Sequence, residues 1–285
     1  MNNRTYRVEV DDDLWHTEGL KVVFNVEKSL IGTPNKADIT IYNMAASSRK
    51  KIQSQGKKIK LFAGRKGEKP ALLFVGKITN LIHQKISTEW VSKFYCYDSI
   101  DYLEKQVNLE IEKGATVEDQ FNLVLNELQG VYKGFTSGLK KCMSGQVSIL
   151  RHATYSGSIR EFLERLSEQC GFEFFMENET IETIEYNTPI DDIVPITINQ
   201  SQGMIGSPEI TEQGIMVNVL LKPELKLGRK IKVESTSKKV NMGAMHFARP
   251  PALDYTGSYI IRKVNHQGDT HSDLWMSRIE GGFLL

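Results

Sequence analysis

Apolar residues recur at every second position through the first hundred residues, and this constrains the fold more than any other feature of the chain. Successive side chains of an extended strand point to opposite faces, so this spacing lets a segment bury one side of a sheet. Val22, Phe24 and Val26 alternate with Val23, Asn25 and Glu27, and Ala37, Ile39 and Ile41 alternate with Asp38, Thr40 and Tyr42. Ile59, Leu61 and Ala63 repeat the pattern, and Leu73 to Ile78 and Trp90 to Tyr97 read as two more strands. Gly32-Thr33-Pro34-Asn35, Gly56 and Gly64-Arg65-Lys66-Gly67 supply turns between them. Ser47 to Ser54 is short and polar and reads as one small helix. Five or six strands in such a span predict a small sandwich or barrel.

The period changes in the middle of the chain. Thr116 with Asp119 forms a capping-box pattern, followed by Val117, Phe121, Val124, Leu125 and Leu128 at helical spacing, with Gly130 as the stop. Ser158 with Glu161 forms a second box, ahead of a stripe of Ile159, Phe162, Leu163, Leu166 and Cys170 that ends at Gly171. Phe172 to Met176 and Thr180 to Ile184 then predict a hairpin around Glu177-Asn178-Glu179. Residues 106–188 therefore read as a small α+β unit, with 130–155 rich in loop. Strands return after it: Ile210 to Leu221, Lys230 to Glu234, and a closing pair, Tyr259 to Val264 and Leu274 to Ile279. The polar run from His266 to His271 reads as the loop of that pair, and Ser235 to Ala252 as a long loop. No repeat of solenoid length is visible, although the two strand-rich ends are compatible with related barrels that have diverged.

Composition excludes several classes of function. The 285 residues carry 36 basic and 35 acidic side chains, a net charge of +1, so no global field draws the protein to nucleic acid or an anionic membrane. No apolar run approaches the roughly 18 residues of a membrane span, and the first residues lack the apolar core of a signal peptide. Cys96, Cys142 and Cys170 match no zinc or redox spacing and read as reduced thiols of a protein folded in a cytoplasm.

The candidate chemical sites each have a plainer reading. His266, Asp269 and His271 carry metal-ligand chemistry but lie in what reads as a solvated turn. The acids Asp11-Asp12-Asp13 and Asp191-Asp192 lack the apolar setting that would raise the pKa of a catalytic acid. Gly203-Met204-Ile205-Gly206-Ser207-Pro208 has no lysine where a phosphate loop needs one. Arg49-Lys50-Lys51, Lys57-Lys58 and Lys238-Lys239 read as solubilising edge and loop residues. Trp15, Trp90 and Trp275, the possible stacking platforms of a carbohydrate-binding module, read as core. The sequence thus offers no catalytic, cofactor-binding or metal-binding residue.

Three stretches in order carry a family resemblance: Phe24 to Leu30 with Pro34 to Asn43, Gly203 to Glu209 with Gly214 to Gly228, and Gly257 to Thr270 with Trp275. This order resembles the baseplate hub proteins of contractile-tailed bacteriophages, and Ser158 to Ile184 resembles that family's middle domain. The resemblance implies a β-rich α+β chain: two tail-tube-like β-barrel domains, 1–105 and 189–285, with the small α+β domain 106–188 inserted. It implies a homotrimer with pseudo-sixfold symmetry, adapting the sixfold tail tube (or its initiator) to the threefold central spike among other baseplate proteins. It further implies a polar lumen through which DNA passes without specific binding, no membrane insertion, no enzymatic activity, no cofactor, and a place in the virion tail. With Leu285 soon after the last motif, no hydrolase extension is expected. Two other readings remain: a tail-associated peptidoglycan hydrolase using acids such as Asp191 or Glu209, and a hub-like component of a type VI secretion or other contractile injection system.

Overall fold

The computed structural model describes residues 4–11, 15–17, 19–53, 56–65, 67, 69–131, 136–137, 151–190, 193–236, 239–240 and 256–284. The first part holds β1 (Arg4–Val10), β2 (Trp15–His16), β3 (Val22–Ser29), β4 (Lys36–Tyr42), α1 (Ala46–Lys51), β5 (Lys58–Arg65), β6 (Ala71–Ile86) and β7 (Glu89–Tyr97). The middle holds α2 (Ile100–Leu103), β8 (Gln106–Ile111), α3 (Val117–Val131), β9 (Thr136–Ser137), β10 (Ala153–Ser158), α4 (Ile159–Cys170), β11 (Phe172–Glu177) and β12 (Thr180–Glu185). The last part holds β13 (Ile196–Ile198), a 3₁₀ turn, β14 (Met204–Thr211), β15 (Gly214–Leu220), β16 (Lys230–Glu234), β17 (Lys239–Val240), β18 (Thr256–Asp269) and β19 (Trp275–Phe283).

The expected strands of the first part are present, and Val22, Phe24, Val26, Ala37, Ile39, Ile41, Ile59, Leu61 and Ala63 are buried as their alternation requires. They do not make a separate sandwich. Strands from both ends join one 14-stranded sheet in the order β17-β14-β15-β19-β18-β3-β4-β7-β6-β5-β1-β2, with β13 and β16 branching from β18. Among the described residues this ladder does not close into a barrel.

The sheet contains one motif twice. In the first part β3 pairs β4, β4 pairs β7, β7 pairs β6 and β6 pairs β5, all antiparallel. In the last part β14 pairs β15, β15 pairs β19, β19 pairs β18 and β18 pairs β16, again all antiparallel. Both copies carry a register shift at the same step, between Ile78 and Asn80 and between Ile261 and Lys263. Matching backbone bonds lie beside it: Gly56 N–H to Ile78 C=O (2.8 Å) and Ile78 N–H to Lys57 C=O (2.9 Å), against Gly228 N–H to Ile261 C=O and Ile261 N–H to Arg229 C=O (both 2.9 Å). The strand ladders then superpose the sequences. Gly56-Lys57-Lys58-Ile59-Lys60-Leu61 falls on Gly228-Arg229-Lys230-Ile231-Lys232-Val233, His83-Gln84 on His266-Gln267, and Trp90-Val91-Ser92-Lys93 on Trp275-Met276-Ser277-Arg278. The two copies meet where β18 pairs β3 over Lys263–Asp269 and Val23–Ser29.

Several boundaries differ from the sequence expectation. Ile210 to Leu221 is not one strand, since β14 and β15 turn at Glu212-Gln213. His266 to Asp269 is strand rather than loop, because the chain stays paired to β3 and β19 through this polar stretch. Gly130 lies within α3, which runs to Val131. Within the expected loop 130–155, Ala153 opens β10, which pairs β8. The Ser235 to Ala252 expectation falls mainly outside the described residues, as do Ser54, Lys66, Cys142, Gly134, Gly138, Gly145 and His246.

The middle unit has its own core. Val117, Phe121, Val124, Leu125 and Leu128 of α3 pack with Ile159, Phe162, Leu163 and Leu166 of α4 and with Val107, Leu109 and Ile111 of β8. The first capping box forms in full, and the second forms its N-cap half. Asp119 N–H donates to Thr116 Oγ1 (3.1 Å) while the Asp119 carboxylate accepts from Thr116 N–H (2.8 Å), and Glu161 N–H donates to Ser158 Oγ (3.2 Å). Gly171 ends α4 at φ 72°, a left-handed residue that satisfies the final turn. Asn178 and Glu179, at φ 51° and 68°, make the tight turn of the β11–β12 hairpin.

Candidate functional site

The alternation that buries one face of the sheet exposes the other, and that second face is continuous across the β18–β3 junction. Directly paired residues share a face, so the register lists a row running Asn218, Arg278, Asn265, Glu27, Lys36 and Tyr97. A second row runs Met276, Gln267, Asn25, Asp38, Tyr95 and Asn80. Polar and aromatic residues thus predominate on this side over both copies of the motif, with Met276, Val23, Ile82 and Ile205 interspersed.

Charge on this face is balanced locally. Lys36 pairs with Glu27 at 3.0 Å and Lys263 with Glu280 at 3.4 Å. Asn25 donates to Glu27 at 2.9 Å, and Gln267 donates to Asn25 at 3.2 Å across the junction. Burial works to raise the Glu27 pKa, but the bonds from Lys36 and Asn25 and the nearby Lys263 charge bring it below the ordinary glutamate value. The result is a wettable surface on which neither sign of charge dominates.

Behind the opposite face, the middle unit grips the sheet through buried polar groups. Asn35, in the β3–β4 loop, gives its side-chain amide to Asp98 (2.7 Å) and to the Met176 carbonyl of β11 (2.6 Å). Its backbone N–H and Ser99 Oγ also donate to Asp98, at 2.9 and 2.7 Å. Burial pushes the Asp98 pKa up to about 6, against these donors and the Lys28 charge. Lys28 of β3 is only 4% exposed and bonds Glu177 at 3.0 Å. Lys58 bonds Glu179 at 2.8 Å, and Val75 N–H donates to Asn178 Oδ1 at 3.2 Å. Arg262, on β18 in the other copy, bonds Glu173 and Asn187. The β11–β12 hairpin therefore holds both copies and bridges their junction.

The residues singled out for chemistry do not converge. His266 is buried, and its Nδ1 lies 2.7 Å from Ser277 Oγ, while His271 is exposed and bonds Thr270. Among the described residues no group of His, Cys, Asp and Glu could hold a metal ion. Asp12, Asp13, Asp191, Asp192 and Lys238 lie outside the described residues. Gly203 follows the 3₁₀ turn with φ 96°, and Pro208 is buried in β14, so this stretch is a strand entry. Cys96 is buried and Cys170 half-buried, and burial raises both thiol pKa values, Cys96 outside the range of thiolate chemistry. Trp275 is core, packed edge-on to Phe24 at 5.3 Å. Trp90 departs from expectation: it is 37% exposed, with the Arg49 guanidinium 3.9 Å from its ring centre.

Burial pushes the His266 pKa down to about 3, with the Lys28 charge adding to the effect. A histidine whose folded pKa is depressed adds stability above its unfolded value of about 6.5 and loses it as pH falls. Acidification from pH 7.5 to 5 should therefore cost about 2 kcal/mol through this residue. His266→Gln, which keeps a partner for Ser277, should flatten that part of the curve. Thermal melts of both proteins at the two pH values check it, and equal losses would count against it; the opposing titration of Asp98 cancels in the comparison.

This fold, a duplicated antiparallel sheet motif with a clamping α+β unit, is shared by solved structures. The 43 kDa tail protein of prophage MuSo2 from Shewanella oneidensis aligns over 98% of this chain and 96% of its own, with TM-score 0.62 at 8% identity. The tail protein from Neisseria meningitidis MC58 aligns over 97% and 96%, with TM-score 0.60 at 10% identity. The E. coli c3393 protein, described as a component of the type VI secretion system similar to the T4 tail proteins gp27 and gp5, aligns over 98% and 76%, with TM-score 0.62 at 14% identity. No curated protein matches the sequence. The profile of the family described as baseplate hub gp41 matches residues 6–273, and the chain belongs to that family.

Proposed function

We propose that the protein is the structural hub of a contractile phage baseplate, a homotrimer that adapts the sixfold tail tube to a threefold central spike. The observation that carries this reading is the strand motif repeated side by side in one sheet. Two equivalent units per chain and three chains give six near-equivalent units with only threefold identity, which is the symmetry an adapter needs. In this reading residues 1–105 and 189–285 are the tube-like domains, each completing its barrel-like wall against its neighbours, and 106–188 is the inserted domain. The polar face turns to the lumen. Its balanced charge gives DNA few cations to bind, so the genome passes without being held. The tail tube or its initiator docks on one side and the spike and other baseplate proteins on the other. The protein acts without catalysis, folds in the host cytoplasm and serves in the virion.

Light scattering coupled to size exclusion tests the reading directly. The purified protein, alone or with its spike partner, is expected at the mass of three chains. A single-chain mass in both samples would refute the trimer.

A further inference from the structure

Two arginines at paired positions of β1 and β5 are treated differently by the fold. Arg4 and Arg65 face each other in the register. Arg4 donates to the Asp269 and Ser272 carbonyls and lies over the Trp275 ring. Arg65 Nη2, by contrast, is shut off from solvent without a hydrogen-bond partner. Arg65 follows Ile59, Leu61 and Ala63 at the inward positions of β5, so an apolar row ends on a charge. A buried charged nitrogen without an acceptor is a costly state.

Arg65 stands at the wall of a cavity of about 590 Å³ that opens between the two copies of the motif. The other walls come from the second copy: Lys222, just past β15, and Thr197, Gln200 and Gln202 around the 3₁₀ turn. Gly203 has φ 96°, and a Cβ there would lie 3.2 Å from Leu220 Cδ1 and 3.4 Å from Arg65 Nη2. The guanidinium is thus parked against a bare α-carbon. Among the described residues that line the cavity none is acidic, so two cations face it with only neutral company.

We propose that this cavity receives a carboxylate from an acidic segment of a partner protein, held between Arg65 and Lys222. The guanidinium fork matches a carboxylate in shape, and Lys222 adds a point charge from the other copy. On binding, the guanidinium turns from Gly203 toward the opening and gains the acceptor that Nη2 lacks. The volume favours a chain segment over a free ion, because a lone oxyanion fills little of it. Leu220, 41% exposed, and Ile196 offer the walls an apolar surface for the methylenes of a glutamate. With a cation from each copy, the bound carboxylate braces the two copies at a second place besides the β18–β3 junction. A single chain builds the whole cavity, so its use does not depend on the trimeric reading.

A fluorescein-labelled hexaglutamate peptide is the probe, and its anisotropy with the full chain at low salt is the readout. Saturable binding is expected, weakened about tenfold or more by Arg65→Gln and by Lys222→Gln, and weakened by added salt. Lys51→Gln removes the same charge at the end of α1 and should leave binding unchanged. Equal weakening by Lys51→Gln, or no saturable binding, overturns the site. Inorganic phosphate as competitor forms the second arm. Phosphate that displaces the peptide at equal concentration assigns the cavity to a free anion and overturns the partner segment. Thermal melts show that the variants are folded, and if Arg65→Gln melts lower, the half-buried Lys222→Gln carries the comparison.

Discussion

Replacing Glu177 by glutamine should destabilise the protein by about 3–5 kcal/mol, because it leaves the Lys28 ammonium buried without its carboxylate. The two groups sit 3.0 Å apart with side-chain exposures of 4% and 11%, so water cannot substitute for the lost partner. Denaturant melts of wild type and variant measure the loss. The double change Lys28→Met with Glu177→Leu should recover most of it, since an apolar pair of similar volume removes both desolvation costs. A loss below about 1 kcal/mol for the single variant would show that the pair is solvated and that the hairpin is not a clamp. Because the hairpin bridges both copies of the motif, the destabilisation should appear in one cooperative transition.

Gly214→Ala should be more damaging, with a loss above about 4 kcal/mol or failure to yield folded protein. Gly214 opens β15 at φ 145°, and a Cβ there would lie 1.9 Å from the Gly281 carbonyl oxygen on β19. That oxygen belongs to the backbone of a paired strand, so relief requires separating β15 from β19. Gly206→Ala is the matched control. Gly206 also has positive φ, 73°, but open space around its Cβ, so it should cost only about 1–2 kcal/mol. Comparable melting temperatures for the two variants would refute the clash argument.

The first strands, both capped helices and the β11–β12 hairpin were legible because each rests on local rules: alternation, capping chemistry and turn residues. The distal halves of β6 and β18 were not. There the inward positions include His83, His266 and Gly268, which carry no apolar signal, and the burial of His266 depends on β3 lying beside it. A buried histidine satisfied by Ser277 looks, in sequence, like a loop residue. Val107, Leu109 and Ile111 of β8 alternate, but six residues beside the helical segments carry only a short signal. The polar face was readable position by position, while its continuity across the two copies was not, since it depends on which strands become neighbours.

The duplication leaves a short trace in the sequence. Gly56 to Leu61 and Gly228 to Val233 differ only by Lys for Arg and Leu for Val at their interior positions and end. The unit occurs only twice, with a whole α+β segment between its copies, so it has no solenoid period.

Joining the two copies by a peptide chain has a kinetic consequence. The β18–β3 junction forms within one molecule, at a local concentration fixed by the chain and not by how much protein the cell makes. In the proposed ring of three such chains every second contact would be closed before any two molecules meet. The loss of translational and rotational freedom is then incurred for three bodies instead of six. Assembly of that ring should thus tolerate scarce protein better than a ring of single-copy subunits.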